Sequence, residues 1–381
     1  MAIERQFWFN RIEEIWKKRS IVWLAGVRRS GKTTLAKSFR NATYVNCDLP
    51  SERRRLEDPE SFYQNLESST VVFDEIHQLT EASQVLKIGA DHFKSKKILA
   101  TGSSTLFASK KFKDSLTDRK RDIHFLPVLV SELENFSSSL KRRILHGGLP
   151  PSLMNAQLDH EFFAEWMDSF YARDIQELFA VERRQPFLKV LEYLLISNGN
   201  QFEVAKLAQA SGVSRPTVIK YLDILETTKA VTLIRPFSRN SLKEIVSQPK
   251  VYGFDTGFSC FAKGIKELRN EDYGQYLENL TLETLQSLGL NRQIQYWRTK
   301  SQNEIDFVLS LSKDENLIIE CKWQEKHFDD YSFRAFRKDY PRGLNIVVTS
   351  DSKRRVSDHK GIKIHFVNIY DLQDLIKTLI Q

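Results

Sequence analysis

Cysteine is scarce. Cys47, Cys260 and Cys321 are the only three among 381 residues, and they are widely spaced. Such usage excludes a disulfide framework and the paired-cysteine spacing of a zinc site, and points to a reducing, cytoplasmic setting. Long hydrophobic runs are missing too. No stretch approaches the ~18 apolar residues that a membrane helix needs, and the start, Met1-Ala2-Ile3-Glu4-Arg5-Gln6, lacks a signal-peptide pattern. The expectation is a chain with no membrane partner. Internal repeats and low-complexity tracts are also lacking, which argues against a repeat array.

What remains is an ordinary globular balance, 41% hydrophobic and 28% charged, with length for roughly two or three domains. The net charge of +8 is compatible with a polyanion partner and equally with a moderately basic protein that has none. One local cluster, Lys110, Lys111, Lys113, Arg119, Lys120 and Arg121 against Asp114 and Asp118, reads either as a ligand- or subunit-facing loop or as a solvated face.

The most specific signal is Gly26-Val27-Arg28-Arg29-Ser30-Gly31-Lys32-Thr33, between an apolar run at Ile21–Ala25 and a helical stretch that starts at Thr34. This is G-x-x-x-x-G-K-[ST] in a strand-loop-helix context. A glycine-framed turn aims successive backbone N–H groups inward, and the helix that follows adds its positive N-terminal end. Residues 26–34 are therefore the candidate ATP-binding segment. Lys32 is expected to reach the β- and γ-phosphates and Thr33 to hold Mg²⁺.

Strand and helix signals alternate from there on: Thr43–Cys47, a helical stretch from Asp58, Ser69–Phe73, a helix Glu81–Phe93, Lys97–Thr101 and Ile123–Leu126. Alternation of this kind predicts a parallel sheet flanked by helices. An amphipathic helix over residues 3–18 precedes it, with apolar Phe7, Phe9, Ile12, Ile15 and Trp16. Gly147-Gly148-Leu149-Pro150-Pro151 breaks the pattern, and a helix over Asp159–Val181 follows.

Val71-Val72-Phe73-Asp74-Glu75 is an apolar strand ending in two carboxylates. A buried strand has no use for adjacent acids. At the strand's C-terminal edge, Asp74 can hold the magnesium shell and Glu75 can act as general base. His77 reads as structural or substrate-side. The strand Ile98–Thr101 runs into Gly102-Ser103-Ser104. Ser103 is a candidate for orienting water or the γ-phosphate, and a helix cap by Ser103 or Ser104 is the alternative. Arg119, Arg121 and Arg173 are candidates for the arginine that offsets transition-state charge; a salt bridge near Asp174 is the bland alternative for Arg173.

The motifs Gly-Val-Arg-Arg-Ser-Gly-Lys-Thr, Val-Phe-Asp-Glu-Ile-His, Thr-Gly-Ser-Ser, Gly-Gly-Leu-Pro and Tyr-Ala-Arg-Asp-Ile resemble those of prokaryotic AAA-type ATPases that carry a C-terminal DUF4143 domain. Their order spans nearly the whole chain. The resemblance implies ATP, Mg²⁺, an AAA+-like core and a winged-helix segment. It departs at Asp118-Arg119, where Gly-Arg is expected, which weakens Arg119 as the arginine finger.

From Pro186 to Phe237 the pattern reads as a winged helix-turn-helix: two helices, a turn at Gly212-Val213-Ser214, a third helix Arg215–Thr227 and a strand Val231–Ile234. Arg215, Thr217 and Lys220 are candidate DNA contacts, with backbone favoured over base readout; a lid or protein-docking role is the alternative. Further on, Asn303–Leu309 and Leu317–Lys322 read as hairpin strands that bring Asp306, Glu320 and Lys322 to one face. The set is similar to the D…E-x-K core of restriction-endonuclease-like folds, and Glu278 matches the acid such folds often place on a preceding helix. Two carboxylates and a lysine suit a Mg²⁺-dependent phosphodiester nuclease; a plain salt bridge in an inert docking domain is the alternative.

The expected fold is α/β: a P-loop NTPase, AAA+-like core with a parallel sheet (1–130), a helical lid or linker (131–185), a winged helix-turn-helix (186–240) and a C-terminal α/β, restriction-endonuclease-like DUF4143 domain (241–381). The expected function is ATP hydrolysis coupled to DNA. An ATP-gated switch docking a protein partner and an ATP-dependent nuclease are the alternatives, and a homo-oligomer is open.

Overall fold

A computed structural model describes residues 3–102, 116–238, 248–290 and 292–380. Its first sheet contains β1 (Ile21–Ala25), β2 (Ala42–Asn46), β3 (Thr70–Asp74), β4 (Lys97–Gly102) and β5 (Lys120–His124), all parallel, in the order β2-β3-β4-β1-β5. Every residue of β1 is buried, as a central parallel strand covered on both faces requires. Its side chains alternate between two cores. Ile21, Trp23 and Ala25 pack with Phe62, Tyr63 and Leu86 from the helices Pro59–Gln64 and Ala82–His92. Val22 and Leu24 pack with Leu35 of the helix Lys32–Lys37 and with the helix Gln6–Trp16. That first helix buries Trp8, Ile12 and Trp16, positions i, i+4 and i+8. Of the expected apolar residues, Ile12 and Trp16 enter this core, and Phe7, Phe9 and Ile15 pack partly against it.

Because the strands are parallel, Ala25, Asp74 and Gly102 end at one edge of the sheet, where ligands of open α/β sheets bind. β5 starts at Lys120, earlier than the expected Ile123. It is an edge strand whose first three residues are charged and outside the core, so its apolar signal is confined to Ile123.

Beyond the first sheet, the helices Leu140–His146 and Pro150–Met154 flank Gly147, whose φ of 75° suits glycine. The helix His160–Phe170 then passes into a π-helical turn, Tyr171–Gln176. Three helices follow, Arg184–Ile196, Val204–Ser211 and Arg215–Thr227. They pack with an antiparallel ribbon of β6 (Val231–Ile234) and β7 (Lys250–Gly253). β7 and the helix Thr256–Ala262 belong with this unit although they lie beyond residue 240.

The last unit is a six-stranded mixed sheet of β8 (Ile294–Arg298), β9 (Glu304–Ser310), β10 (Glu315–Cys321), β11 (Arg342–Thr349), β12 (Arg355–His359) and β13 (Ile362–Asn368), in the order β12-β13-β11-β10-β9-β8. The helices Tyr273–Ser287 and Leu372–Ile380 share one core with this sheet, and Tyr331–Asp339 packs into another. Among the described residues no helix is long and apolar enough to cross a membrane.

Candidate functional site

The loop after β1 is shaped by two glycines for different reasons. A Cβ on Gly26 would fall 2.4 Å from the Phe125 carbonyl oxygen, because the chain after β5 runs close beside it. Gly31 adopts φ 98° to start the helix Lys32–Lys37. Gly26, Arg28, Arg29, Gly31, Lys32, Thr33 and Thr34 line a cavity of about 1170 Å³. Val27 and Ser30 are buried instead: Val27 joins the core of the helical units, and Ser30 Oγ donates to Val27 O at 2.9 Å. From outside the loop, Arg5 donates to Ser30 O at 3.3 Å and to Leu126 O at 3.0 Å, and it pairs with Glu132. No motif announces Arg5; only its burial at 5% exposure identifies it.

Lys32 Nζ donates to Gly26 O (2.9 Å) and Val27 O (3.0 Å). Burial lowers its pKa, opposed by the charges of Glu75 and Asp174. At the end of β3, Asp74 is 2% exposed and accepts hydrogen bonds from Tyr44 Oη (2.6 Å) and Thr101 Oγ1 (2.5 Å). Thr101 Oγ1 also accepts from the Glu75 backbone N–H at 3.0 Å. Glu75, at φ 56°, turns into the cavity and pairs with His77 Nδ1 at 3.1 Å. Burial alone would raise its pKa, but the His77 hydrogen bond and the Lys32 charge outweigh it and leave the net shift downward. Ser103 and Ser104 lie outside the described residues, as do Lys110, Lys111, Lys113 and Asp114. The hydroxyl on the acids is that of Thr101, with Tyr44 from β2 as the second donor.

The arginine candidates separate clearly. Arg119 precedes β5 and therefore sits at the opposite edge of the sheet, with roughly 16 Å of strand between it and the loop edge. It pairs there with Asp91, Nε to Oδ1 at 2.6 Å. Arg119 is thus not among the residues that line the cavity of its own chain's loop. Arg121 is exposed on β5. Arg173 lines the cavity together with Lys32, Thr33, Glu75 and Asp174. It is exposed, whereas its neighbour Asp174 pairs with Arg28 of the loop. Burial raises the Asp174 pKa against the pull of Arg28. Trp166 fixes the same contact from the preceding helix, its Nε1 donating to Arg28 O at 3.1 Å.

These residues fit a nucleotide with its magnesium ion: a glycine-framed turn, a lysine held at that turn, a hydroxyl at Thr33, an oriented carboxylate and a cavity of nucleotide size. The cavity wall includes Glu75 and Thr33 but not Asp74, which sits just behind.

A second cluster lies in the C-terminal unit. Register pairs Phe307 with Ile319, which carries Asp306 and Glu320 onto neighbouring positions. Glu278 approaches from the helix Tyr273–Ser287 and accepts from Tyr252 Oη at 2.9 Å. Asp306 Oδ2 accepts from the Cys321 N–H at 2.8 Å, and Glu320 Oε1 pairs with Lys322 at 2.8 Å. A cation that sequence reading missed stands among the acids. Lys250 Nζ pairs with Glu304 and lies 3.7 Å from Glu278 and 3.9 Å from Asp306. Burial and then the Asp306 charge push the Glu278 carboxyl up to about 8, and burial pushes up Asp306 and Glu320. Lys250 goes upward, its acid neighbours outweighing burial. Among the described residues no three His, Cys, Asp or Glu side chains are placed to share a metal ion. With Lys250 at its centre, the cluster does not fit a divalent cation.

On the helix Arg215–Thr227, Arg215 and Lys220 are exposed. Thr217 is engaged in the N-cap, its N–H and Oγ1 both bonded to Ser214 Oγ. Ile219 on the same helix is 51% exposed.

Three family models match the chain: an AAA domain over residues 18–134, the domain of unknown function DUF8612 over 137–269 and the domain of unknown function DUF4143 over 273–370. Uncharacterized proteins of Mycobacterium tuberculosis and Mycobacterium bovis are each 29% identical over 329 residues, covering 82% of this chain and 72% of theirs. Among solved structures, the McrB AAA+ hexamer assembly with bound McrC from Thermococcus gammatolerans is 10% identical, with a TM-score of 0.25. That match covers 51% of this chain and 53% of the other. A signal transduction ATPase with a tetratricopeptide repeat sensor from Pyrococcus horikoshii is 12% identical, with a TM-score of 0.28, covering 75% and 45%. The chain thus spans about half the length of these two structures, and likeness at such scores carries no argument. The parallel first sheet lies within the AAA match and the mixed sheet within the DUF4143 match. Residues 18–134 thus match an AAA domain and residues 273–370 a DUF4143 domain, in the order that the sequence motifs suggest.

Proposed function

We propose that the chain binds and hydrolyses ATP with Mg²⁺ and couples that cycle to DNA through the helix Arg215–Thr227. The observation that carries the reading is the convergence of Lys32, Thr33, Glu75 and Arg173 on one cavity. Lys32 leaves the carbonyls of Gly26 and Val27 to bind the β- and γ-phosphates, which the loop's backbone N–H groups cradle. Thr33 and Asp74 would hold the magnesium ion, which when bound offsets phosphate charge. Tyr44 and Thr101 orient Asp74 for that task. Glu75, its pKa lowered, is ionised at neutral pH and accepts a proton from the attacking water. Arg173 offsets charge on the phosphoryl group from within the same chain, so that a monomer suffices for turnover.

The domain assignment goes with this reading. Residues 1–130 form the ATPase core, 131–185 the lid and 186–240, closed by β7, a winged helix-turn-helix that touches the DNA backbone through Arg215 and Lys220. The C-terminal unit is a restriction-endonuclease-like domain with Glu278, Asp306, Glu320 and Lys322 in the positions of a nuclease site, and Lys250 makes it a docking domain rather than a cleaving one. Three free, buried cysteines suit a cytoplasmic setting. A second reading, an ATP-gated switch that docks a protein, is favoured by one observation: Ile219 stands exposed between Arg215 and Lys220.

ATP turnover measured without DNA and with single-stranded, duplex and branched DNA separates the two. Stimulation by one DNA form, lost in Arg215→Glu, supports the first reading. Turnover indifferent to every DNA transfers the proposal to the protein-docking switch.

A further inference from the structure

The acid cluster of the C-terminal unit contains a cation delivered from elsewhere in the chain. Lys250 is the first residue of β7, paired through that ribbon with β6, and it is 4% exposed. Its Nζ reaches Glu304, which is also 3.4 Å from Arg298 Nε. It lies 3.7 Å from Glu278 and 3.9 Å from Asp306, and 5.5 Å from the centre of the Tyr296 ring. Burying a long, flexible ammonium costs both desolvation and side-chain entropy, and it persists only where carboxylates offset that cost. A second observation shows that the cluster still lacks a partner. Glu320 is 7% exposed, its Oε1 pairs with Lys322, and its Oε2 has no hydrogen-bond partner.

We propose that Lys250 is the resident cation of this cluster, standing between Glu278, Glu304 and Asp306 and keeping metal out while β7 is paired with β6. A divalent ion needs carboxylate oxygens at 2.0–2.6 Å, whereas Glu278 and Asp306 stand 3.7 and 3.9 Å from the ammonium, so these acids can close around an ion only once the lysine has left. The inference is independent of the ATPase reading. It makes entry of a metal into the nuclease-like site conditional on withdrawal of a side chain that belongs to the winged unit's ribbon. The ribbon therefore links the state of the helical unit to the charge of the C-terminal site.

Mn²⁺ is the probe, titrated by calorimetry and electron paramagnetic resonance into the full chain without nucleotide. An Asp74→Asn background removes the carboxylate of the first site. With Lys250 present, no Mn²⁺ site that depends on Asp306 is expected. Lys250→Met gains one saturable Mn²⁺ equivalent per chain, and Mn²⁺ raises its thermal midpoint; adding Asp306→Asn abolishes both. A Mn²⁺ site already present with Lys250 and lost on Asp306→Asn overturns the proposal. So does a Lys250→Met chain with an unchanged circular dichroism spectrum and no bound ion. If Lys250→Met does not fold, the comparison of the Lys250 chain with its Asp306→Asn form decides: identical isotherms uphold the proposal, a lost site refutes it.

Discussion

Thr101 holds the two acids at the end of β3 by opposite ends of one hydroxyl, donating to Asp74 and accepting from the Glu75 N–H. Thr101→Val keeps the shape and removes both bonds. A hydrogen bond to a charged group contributes about 1.5–3 kcal/mol, so ATP turnover should fall by roughly tenfold to a hundredfold. Unchanged turnover would show that Asp74 and Glu75 are positioned by the backbone alone. Glu278 gives a pH signature. Its folded pKa is raised from 4.5 to about 8, so between those values the folded chain binds more protons than the unfolded one. Stability therefore falls as pH rises through that window, by at most about 1.4 kcal/mol per pH unit for the group. Glu278→Gln should flatten the slope of denaturation midpoint against pH; an unaltered slope contradicts the assignment. Asp74 and Glu75 were legible because adjacent acids at a strand's end have no packing use. Tyr44, Thr101 and Lys250 were not, because each meets its acids only through strand pairing or packing between distant segments, which no local pattern encodes.

At the level of elements, the π-helical turn Tyr171–Gln176 has the largest consequence. Its residues read as part of one uninterrupted helix, since a widened turn leaves the apolar spacing almost unchanged; π-turns recur at functional sites. Here the turn sets exposed Arg173 on the cavity while Asp174 pairs with Arg28. Arg173→Ala should lower turnover by about 10³–10⁵ with nucleotide binding retained, as read by single-turnover hydrolysis beside equilibrium binding. A loss below about tenfold would move the role to an arginine from another copy. The helix Arg215–Thr227 was legible from the turn at Gly212-Val213-Ser214 that precedes it; in the structure Ser214 caps it and Pro216 lies in its first turn. β5 was misplaced because an exposed edge strand need not be apolar.

Across the whole molecule, one buried arginine ties the units together. Arg143 donates to Val128 O at 2.6 Å and to Thr256 Oγ1 at 3.0 Å, and it pairs with Glu283 of the C-terminal unit. The glycines at 147 and 148 make room for this junction: a Cβ at Gly148 would fall 2.4 Å from Arg143 Nε. Breaking a buried pair on one side costs about 3–5 kcal/mol, so Arg143→Met should lower the chemical denaturation midpoint by that equivalent. A change under about 1 kcal/mol would mean that the units are held together by apolar packing alone. The central claim is that the cavity beside Lys32 turns over ATP with Glu75 as its base. Its most direct test is steady-state hydrolysis by the full chain and by Glu75→Gln, with nucleotide affinity measured on both. The account predicts hydrolysis lowered by about 10²–10⁴ at unchanged affinity in Glu75→Gln; equal hydrolysis by the two chains would contradict it.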